Sequence, residues 1–421
     1  MIDFTKLFFI YGLGVSGKSV VKFLRNYNCS FSAIDDNKLK NKFLLKNEYC
    51  QINNLTKILN KSSYIVVSPS IDIDVHPVLS KFKDKDKVIT DIDILGSLIP
   101  DKVKVIAITG TEGKSSVCNY LNEVLNKKFK SILIGNIGRT ILHKKNIKNI
   151  ILNYDYMIFE LSSYQLDKIK YLKINIGCIT NLYPDHLIYH KTYRNYIKSK
   201  LSISNLLKKK GIIFINKNTS NEILNNKLSL NNNFKIYKTK KFINDNDSFF
   251  INENVSSLYS ITSYLKFSFK ISDILKINNL PFRNQIIYNK NNLKILNDSK
   301  STNLLNSINT FNSIKIKNKI LILGGKLKNN DIDIPRILNS TILIFGNDKD
   351  HFLHKLQNTN SKVIRFLNLE SLIIFLSFFI NLDNNNKIIL FSPGGESFDT
   401  YSDFIERGNH FNYLVKKYIN A

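Results

Sequence analysis

The chain alternates short apolar runs with longer stretches in which apolar residues recur every three or four positions. Each short run ends in glycine or in a polar turn. This alternation is typical of a mainly parallel α/β fold, in which helices connect neighbouring strands. The predicted strands are residues 7–11, 64–68, 103–109, 132–135, 157–160, 176–180, 212–216, 293–296, 320–323, 341–345 and 387–392. Because ligands in such sheets bind beyond the carboxyl ends of the strands, chemistry is expected there.

Breaks in this pattern divide the chain into three α/β blocks. The first block ends just before Pro100, and the second ends near Asn279. The predicted domains are residues 1–98, 99–279 and 280–421. The length agrees with several domains, since single cores stop growing at roughly 250–300 residues. Residues 217–251 are rich in Asn, Lys and Ser and are predicted to form an irregular insert.

The first block opens with a glycine loop. Gly12, Gly14 and Gly17 follow the first strand and precede a helical segment, so backbone N–H groups can approach a phosphate at the helix N-terminus. Asp35 and Asp36 follow the next strand about 20 residues later, where an acid can accept a hydrogen bond from a ribose hydroxyl. The motif predicts a nucleotide site without identifying the nucleotide, and a glycine turn with no ligand is the alternative.

A second glycine loop, TGTEGKSS, opens the second block. Beyond its first threonine it comprises Gly110, Thr111, Glu112, Gly113, Lys114, Ser115 and Ser116. Ile108 stands where a strict Walker A loop has its first glycine, yet the shorter loop can still cradle phosphates. Lys114 would then reach the terminal phosphates and Ser115 would hold magnesium.

Polar side chains also follow the later strands of the second block. Asn136 follows one strand, Glu160 ends the next, and Asp185 and His186 follow a third. A carboxylate at a strand end beside a phosphate loop can ligate magnesium, so Glu160 is a candidate ligand. A lone histidine is more often a capping or packing residue, but the neighbours of His186 favour a functional role.

Three strands of the third block end in lysines and hydroxyls. The segments are NDSKSTN at 297–303, GGKLK at 324–328 and SPGGESFD at 392–399. Together they would form a cationic pocket suited to a small substrate that carries carboxylates. Solvated lysines are the alternative, and for Lys326 it is the preferred one.

Composition excludes several classes of protein. The 421 residues carry 61 Lys+Arg and 33 Asp+Glu, a formal charge of +28, but the lysines are dispersed, so no nucleic-acid partner is expected. Four distant cysteines without a CxxC pair argue against disulfides and zinc. The apolar stretch at 372–382 is shorter than the roughly 20 residues of a membrane helix, and the N-terminus lacks a basic leader. A cytoplasmic location is expected.

In their order, these motifs resemble those of the Mur ligase family, within it most closely the branch that adds D-glutamate. The motifs are GxGxxG, TGTxGKS, NIG, ELSSYQL, PDH, NDSKSTN, LGGxxK and SPxxxSFDxYxxFxxRG, and they span nearly the whole chain. The implied fold class is α/β with three domains. They are an N-terminal Rossmann-like domain, a central P-loop ATPase-type domain with a mainly parallel sheet, and a C-terminal Rossmann-like domain.

The resemblance implies an ATP-dependent ligase of peptidoglycan precursor synthesis, with ATP and Mg²⁺ as cofactors. ATP would phosphorylate the carboxylate of UDP-N-acetylmuramoyl-L-alanine, and the amine of D-glutamate would attack the acyl phosphate to give an amide, ADP and phosphate. Magnesium and lysine must offset the repulsion between the anions. The implied partners are these two substrates, with no nucleic acid, no membrane insertion and a monomeric state.

The resemblance also assigns residues to roles. The implied catalytic residues are Lys114, His186, Lys200 and Lys300. ATP would contact residues 110–116 together with Arg283 and Asp298. The UDP-linked substrate would contact Gly14, Val15, Ser16, Asp35, Asn136 and Ser162. D-Glutamate would contact Thr302, Lys328, Ser397 and Phe404. The implied metal ligands are Ser115, Glu160, His186 and, if it is carbamylated, Lys200. Without the resemblance, Lys200 would be interpreted as a solvated helix lysine.

Some positions depart from the family pattern and keep other interpretations open. Glu112 stands where Asn is usual, Ser257 replaces an adenine-side Asn, and Phe282 replaces the His that commonly precedes Arg283. One alternative is a ligase like folylpolyglutamate synthase, which the N-terminal glycine loop disfavours. The other is a catalytically impaired nucleotide-binding or basic scaffold protein, which Glu112 and Ser257 favour.

Overall fold

The structure, a computed structural model, describes most of the chain. The described residues are 2–69, 71–82, 84–136, 140–231, 233–242, 249–277, 280–314, 316–328, 334–357, 359–380 and 386–419. They form two compact units, one of Met1–Lys240 with Glu253–Ile274 and the other of Lys241–Asn252 with Leu275–Ala421. The predicted boundary at Asn279 lies outside the described residues. The three domain boundaries therefore stay a prediction.

The first unit begins with a small parallel sheet. Its strands are β1 (Phe8–Tyr11), β2 (Phe31–Ile34), β3 (Tyr64–Val67) and β4 (Val88–Ile89). They lie in the order β2-β1-β3-β4. The helices are α1 (Val15–Asn26), α2 (Lys38–Asn41), α3 (Leu55–Lys61) and α4 (Asp91–Leu98). Short 3₁₀ turns cover Ile52–Asn54, Leu79–Lys81 and Lys85–Lys87. Strand β1 is buried along its whole length, as expected for an inner parallel strand.

The second sheet of this unit has six strands, all parallel. They are β5 (Lys104–Thr109), β6 (Ser131–Gly135), β7 (Tyr156–Glu160), β8 (Ile174–Ile179), β9 (Leu207–Asn216) and β10 (Phe234–Tyr237). The order is β10-β9-β8-β5-β7-β6, so the ends of β7 and β8 flank the end of β5. Residues from both sheets share one hydrophobic core, which includes Phe8, Ile10, Val105 and Phe159.

Helices of several lengths connect or follow the strands of the second sheet. They are α5 (Lys114–Leu125), α6 (Ile147–Leu152), α7 (Ser163–Leu166), α8 (Leu187–His190), α9 (Tyr193–Leu201), α10 (Lys217–Asn225), α11 (Phe249–Tyr264) and α12 (Ile271–Leu275). A 3₁₀ turn covers Ser202–Leu206. Among the described residues, no helix is both long enough and apolar enough to span a membrane.

The second unit contains the third sheet. Its strands are β11 (Gln285–Lys290), β12 (Leu293–Asn297), β13 (Lys319–Gly324), β14 (Leu338–Phe345), β15 (Asn360–Phe366) and β16 (Lys387–Gly394). The helices are α13 (Leu304–Ser313), α14 (Lys349–Lys355), α15 (Leu369–Ile380) and α16 (Phe404–Tyr418). The order is β11-β12-β16-β13-β14-β15, and only β11 is antiparallel to its neighbour. Asn291 and Asn292, both at positive φ, form the tight turn between β11 and β12.

The α/β class with three sheets is confirmed, and each predicted strand is present. The prediction of an irregular insert at 217–251 is wrong for its described residues. Helix α10 buries Ile223 in the core, and β10 pairs with β9 through Phe234 and Ile213. The dense Asn and Lys positions there face solvent and obscure the few apolar positions that fix these elements.

Candidate functional site

The loop at residues 110–113, called the phosphate loop below, lies at the carboxyl edge of the second sheet. It joins the buried strand β5 to helix α5, and Gly113 is the N-cap of that helix. Gly113 has φ +76°, and a Cβ added there would overlap Asn254 Oδ1. Glycine is therefore required both by the left-handed backbone and by the close approach of Asn254.

Asn181, which follows β8, accepts two hydrogen bonds from the backbone of the phosphate loop. Its backbone carbonyl accepts from Thr111 N at 3.0 Å, and its Oδ1 accepts from Glu112 N at 2.8 Å. These two N–H groups are therefore already bonded. The N–H groups of the first turn of α5 have no partner within the helix. We expect a phosphate to be held there, around Lys114 and Ser115, rather than by Thr111 and Glu112.

Lys114 and Thr111 complete the loop. Lys114 is half-buried, and its Nζ donates to Thr111 O at 2.6 Å, so its side chain folds back over the loop. Thr111 Oγ1 accepts from Tyr183 N at 2.9 Å and lies 2.9 Å from the Tyr196 hydroxyl. These protein groups hold the loop in shape.

Glu160, at the end of β7, has one carboxylate oxygen without a partner. The residue is 1% exposed; its Oε1 accepts from Asn136 Nδ2 at 2.8 Å, while its buried Oε2 has no hydrogen bond. Leaving a charged oxygen in this condition is costly, and a cation would satisfy it. Ile137 and Gly138 of the NIG motif lie outside the described residues.

Lys200, on α9, is buried beside the phosphate loop. The residue is 2% exposed, and its Nζ donates to Gly110 O at 2.9 Å and to Thr109 Oγ1 at 3.2 Å. Burial, with the nearby charge of Lys114, holds the pKa of Lys200 well below its usual range. The interpretation of Lys200 as a solvated helix lysine is therefore wrong. Helix α9 turns this residue inward together with Tyr196.

His186 lies near these groups but is already engaged. Its Nδ1 is 3.0 Å from the Tyr164 hydroxyl, and its Nε2 is 3.3 Å from Asp185 Oδ2. Its backbone has φ +54° at the start of α8. A metal would have to displace one of these two contacts. Ser162, the N-cap of α7, accepts from Gln165 N and is likewise held by its own helix.

The loop at residues 12–17, called the first glycine loop below, lies at the carboxyl edge of the first sheet. Gly14 is the N-cap of α1, and Val15 is 76% exposed. Asp35 is buried; its Oδ2 accepts from Leu13 N at 2.6 Å and its Oδ1 accepts from Asn37 N at 2.8 Å. Asp35 thus brackets the loop, and each of its carboxylate oxygens already accepts a hydrogen bond from the protein. Ser16 lies in the first turn of α1, near Asp91.

Ser257 is enclosed rather than presented to a ligand. Its hydroxyl lies 2.6 Å from the Tyr237 hydroxyl and donates to Glu253 O at 3.1 Å, and the residue is 1% exposed. A nucleotide base therefore has no access to this hydroxyl in the described conformation.

The second unit gathers the remaining predicted residues at the carboxyl ends of β12, β16 and β13, which are neighbours in the third sheet. They are Arg283, Asp298, Lys300, Thr302, Lys328, Ser397 and Phe404. Asp298 Oδ2 accepts from Ser392 Oγ at 2.9 Å, and Lys300 Nζ lies 4.4 Å from the centre of the Phe404 ring. Lys328 lines a small open pocket with Asn303 and Lys355. Arg283 precedes β11, whose first residue pairs with the last residue of β12.

Several residues that build these sites were not among the predicted ones. They are Thr180, Asn181, Tyr196, Asn254 and Arg407. Thr180 and Asn181 follow a strand, so their position at a strand end was a usable signal. Tyr196 and Asn254 lie on helices and reach the phosphate loop only through packing, which no local sequence pattern reveals.

Comparison with known proteins gives consistent results. Residues 108–281 match the model of the Mur ligase middle domain. The chain is 31% identical over 439 residues to the UDP-N-acetylmuramoylalanine--D-glutamate ligase of Francisella tularensis subsp. tularensis (strain WY96-3418), covering 98% of this chain and 96% of that protein. The ligase of the same name from Francisella tularensis subsp. novicida (strain U112) is 31% identical over 445 residues, with the same coverage.

Solved structures share the fold. A pseudomurein peptide ligase type C from Methanothermus fervidus aligns with a TM-score of 0.54 at 15% identity, covering 98% of this chain and 99% of that one. MurF ligase from Thermotoga maritima, solved in complex with ADP, aligns with a TM-score of 0.55 at 12% identity, covering 87% and 92%. At these identities the likeness concerns the three-domain architecture.

Proposed function

The chain belongs to the Mur ligase family and is an ATP-dependent, amide-forming ligase of peptidoglycan precursor synthesis, and we propose that it joins D-glutamate to UDP-N-acetylmuramoyl-L-alanine. The observation that carries the residue assignments is the grouping at the carboxyl edge of the second sheet. The phosphate loop follows β5, and Glu160, with its unpartnered oxygen, ends the adjacent strand β7. The buried Lys200 is hydrogen-bonded to the phosphate loop.

Lys114 would be the main cation for the transferred phosphate. Its side chain already folds over the loop and needs only to exchange the carbonyl of Thr111 for a phosphate oxygen. The first turn of α5 adds backbone donors and the positive end of the helix dipole. Phosphoryl transfer to a carboxylate depends mostly on positioning and charge compensation, which these groups supply.

Magnesium fits the residues present, and Glu160 and Ser115 would hold it. Both side chains are buried, and the free Glu160 oxygen is of the hard type that Mg²⁺ binds. Among the described residues, no three His, Cys, Asp or Glu side chains form a metal-binding cluster. Substrate phosphates would complete the magnesium site. When bound, the ion would neutralise charge on the phosphates.

Lys200 would act as a carbamate. A lowered pKa favours the uncharged amine, which can attack CO₂: a C–N bond forms as one C–O π bond breaks, the nitrogen loses a proton, and the neutral amine becomes a carbamate anion. An anion beside Glu160 would complement a divalent cation. His186 would lie at the edge of the same site.

The three predicted domains would divide the binding tasks. Residues 1–98 would bind the UDP-linked substrate at the first glycine loop, residues 99–279 would bind ATP, and residues 280–421 would bind D-glutamate around Thr302, Lys328 and Ser397. Lys300, Arg283 and Asp298 would serve the acyl phosphate and the nucleotide. We further propose a monomeric enzyme of the cytoplasm that uses no nucleic acid.

Release of phosphate tests this function. The protein is mixed with ATP, Mg²⁺, UDP-N-acetylmuramoyl-L-alanine and D-glutamate, and each component is omitted in turn. We expect release only when both organic substrates are present, and little release when L-glutamate replaces D-glutamate. The enclosure of Ser257 favours the competing idea of an impaired nucleotide-binding protein. Release with neither substrate, or no release at all, would support that competitor.

A further inference from the structure

Arg407 is a buried charge in the second unit that the proposed reaction does not yet use. It lies in the first turn of α16 and is fully buried. A buried guanidinium persists only where many hydrogen bonds replace its water. Burial lowers the pKa of Arg407 to about 10, so the group remains charged at neutral pH.

The guanidinium joins two loops. Its Nε donates to Ser299 Oγ at 3.1 Å and its Nη2 donates to Ser299 O at 2.8 Å, in the loop after β12. Its Nη1 donates to Gly395 O at 2.9 Å, in the loop after β16. The planar fork therefore fixes the distance between the two loops, which a single-point lysine donor would not do.

Neighbouring residues are shaped to this guanidinium. A Cβ added at Gly325, after β13, would lie 2.7 Å from Arg407 Nη1, so the glycine leaves room for the side chain. Ser299 Oγ in turn donates to Phe404 O at 2.8 Å, which ties the loop to the start of α16. The ends of β12, β13 and β16 thus meet at Arg407.

None of these bonds pairs the positive charge with a carboxylate. All three acceptors are uncharged oxygens. The nearby carboxylates of Asp399 and Asp298 attract the guanidinium, and the buried Oδ2 of Asp399 has no hydrogen-bond partner. A buried cation at this sheet edge still raises the local affinity for anions.

We propose that Arg407 is a positioning residue for D-glutamate. It fixes the loops that carry Lys300 and Ser397 relative to each other. It also adds positive electrostatic potential near the D-glutamate carboxylates. This inference rests on the proposed function, because it takes D-glutamate as the ligand of this sheet edge.

Chemical rescue can show whether Arg407 acts through its charged guanidinium or only by filling space. We expect Arg407→Ala to lower kcat/KM for D-glutamate on the order of 100-fold, the loss that a misplaced substrate can cause. The loss should appear chiefly in KM, because the variant disturbs the loops that would bind D-glutamate. KM for UDP-N-acetylmuramoyl-L-alanine should stay near that of the wild type. Millimolar guanidinium should restore activity severalfold, whereas urea, which has nearly the same shape and no charge, should not.

Two further variants complete the experiment. Arg365→Ala removes an exposed arginine on β15 and should show neither the loss nor the rescue. Arg407→Lys keeps the charge but not the fork, and it decides the question if Arg407→Ala does not fold, as judged by its thermal melt. A raised KM for D-glutamate in Arg407→Lys supports the proposal.

Specific outcomes would overturn the proposal. They are equal rescue by urea and guanidinium, or an unchanged KM for D-glutamate in the folded variants. The wild type is assayed first, because failure to couple D-glutamate would refute the proposed function itself. Normal coupling by the wild type with unaffected variants would refute only the role of Arg407.

Discussion

The two glycine loops of the first unit occupy equivalent places but are built differently. Each follows an inner strand of its sheet and precedes a helix of 12 residues. The first glycine loop is open: a Cβ at Gly14 would meet nothing within 4 Å, and Val15 is 76% exposed. The phosphate loop is enclosed, with Asn254 against Gly113 and Asn181 beneath it. Glycine spacing alone does not distinguish an open loop from one that neighbouring side chains enclose.

The charged groups around the two loops differ in the same way. At the first glycine loop, the buried Asp35 carboxylate is satisfied by backbone N–H groups. At the phosphate loop, Glu160 keeps a buried oxygen without a partner, and Lys200 is a lysine whose pKa burial lowers. Incomplete satisfaction is costly for stability and is characteristic of sites that bind a charged ligand.

The largest expected difference between the loops concerns their lysines. Lys114 and Lys18 each follow the last glycine of their loop, but Lys18 Nζ lies 5.5 Å from the Phe43 ring centre instead of over its loop. We expect Lys114→Ala to lower kcat on the order of 1,000-fold, because an aimed cation is lost at the transferring phosphate. Lys18→Ala should retain kcat. Steady-state assays check both variants, and a similar kcat for the two would contradict the distinction.

A second difference concerns the buried lysine beside the phosphate loop. Lys200→Ala should lower kcat on the order of 100-fold, and added formate or acetate should partly restore it by replacing the carbamate. Lys198→Ala, on an exposed position of the same helix, should neither lose activity nor respond to the acids. Full activity of Lys200→Ala without additive would show that a carbamate is not needed.

Much of the fold could be predicted from the sequence, because inner parallel strands leave short apolar runs that end in turn residues. Strand β5 is an example, with buried residues from Val105 to Thr109. Strand β10 was missed, because it lies at a sheet edge and only its contact with β9 distinguishes it from a polar linker. Edge elements depend on tertiary pairing that local pattern does not encode.

The candidate site was predictable where its residues end a predicted strand or lie in the loop that follows one. Gly113, Lys114 and Glu160 are in this class. The burial of Lys200 and the hydrogen bond between Asp35 and the first glycine loop were not predictable. Both depend on which helix or loop packs against the residue in the folded protein. The wrong expectation for Lys200 arose because Lys198 and Ser199 precede it in α9 and most helix lysines face water.

A smaller difference is expected in the stability of the glycine variants. Gly113→Ala places a Cβ against Asn254 Oδ1 at φ +76° and should destabilise the protein by about 1–3 kcal/mol. The backbone at Gly14 has φ −69°, and a Cβ there would meet nothing within 4 Å. Gly14→Ala should therefore change the free energy of unfolding by less than about 0.5 kcal/mol. Urea unfolding measures both. Equal destabilisation would show that the first loop is as constrained as the second.

The smallest expected effect tests the link between the two sheets. Lys168, after α7, is 5% exposed, and its Nζ donates to Pro69 O, after β3, at 3.1 Å. Burial lowers the pKa of Lys168 in the folded protein below the 10.5 that is usual for lysine. At pH values between the folded-state pKa and the unfolded-state pKa, the unfolded chain binds more protons than the folded one. The free energy of unfolding therefore rises with pH in this range. Each unit of lowering corresponds to about 1.4 kcal/mol.

Replacement by methionine should remove this pH-dependent contribution. The stability of the wild type relative to Lys168→Met should therefore increase between neutral pH and pH of about 10, the upper end of the lysine window. Lys173→Met, at an exposed position, controls for the loss of one surface charge. A difference in unfolding free energy that stays constant with pH would mean that Lys168 reaches water, and that the two sheets are not joined through a buried cation.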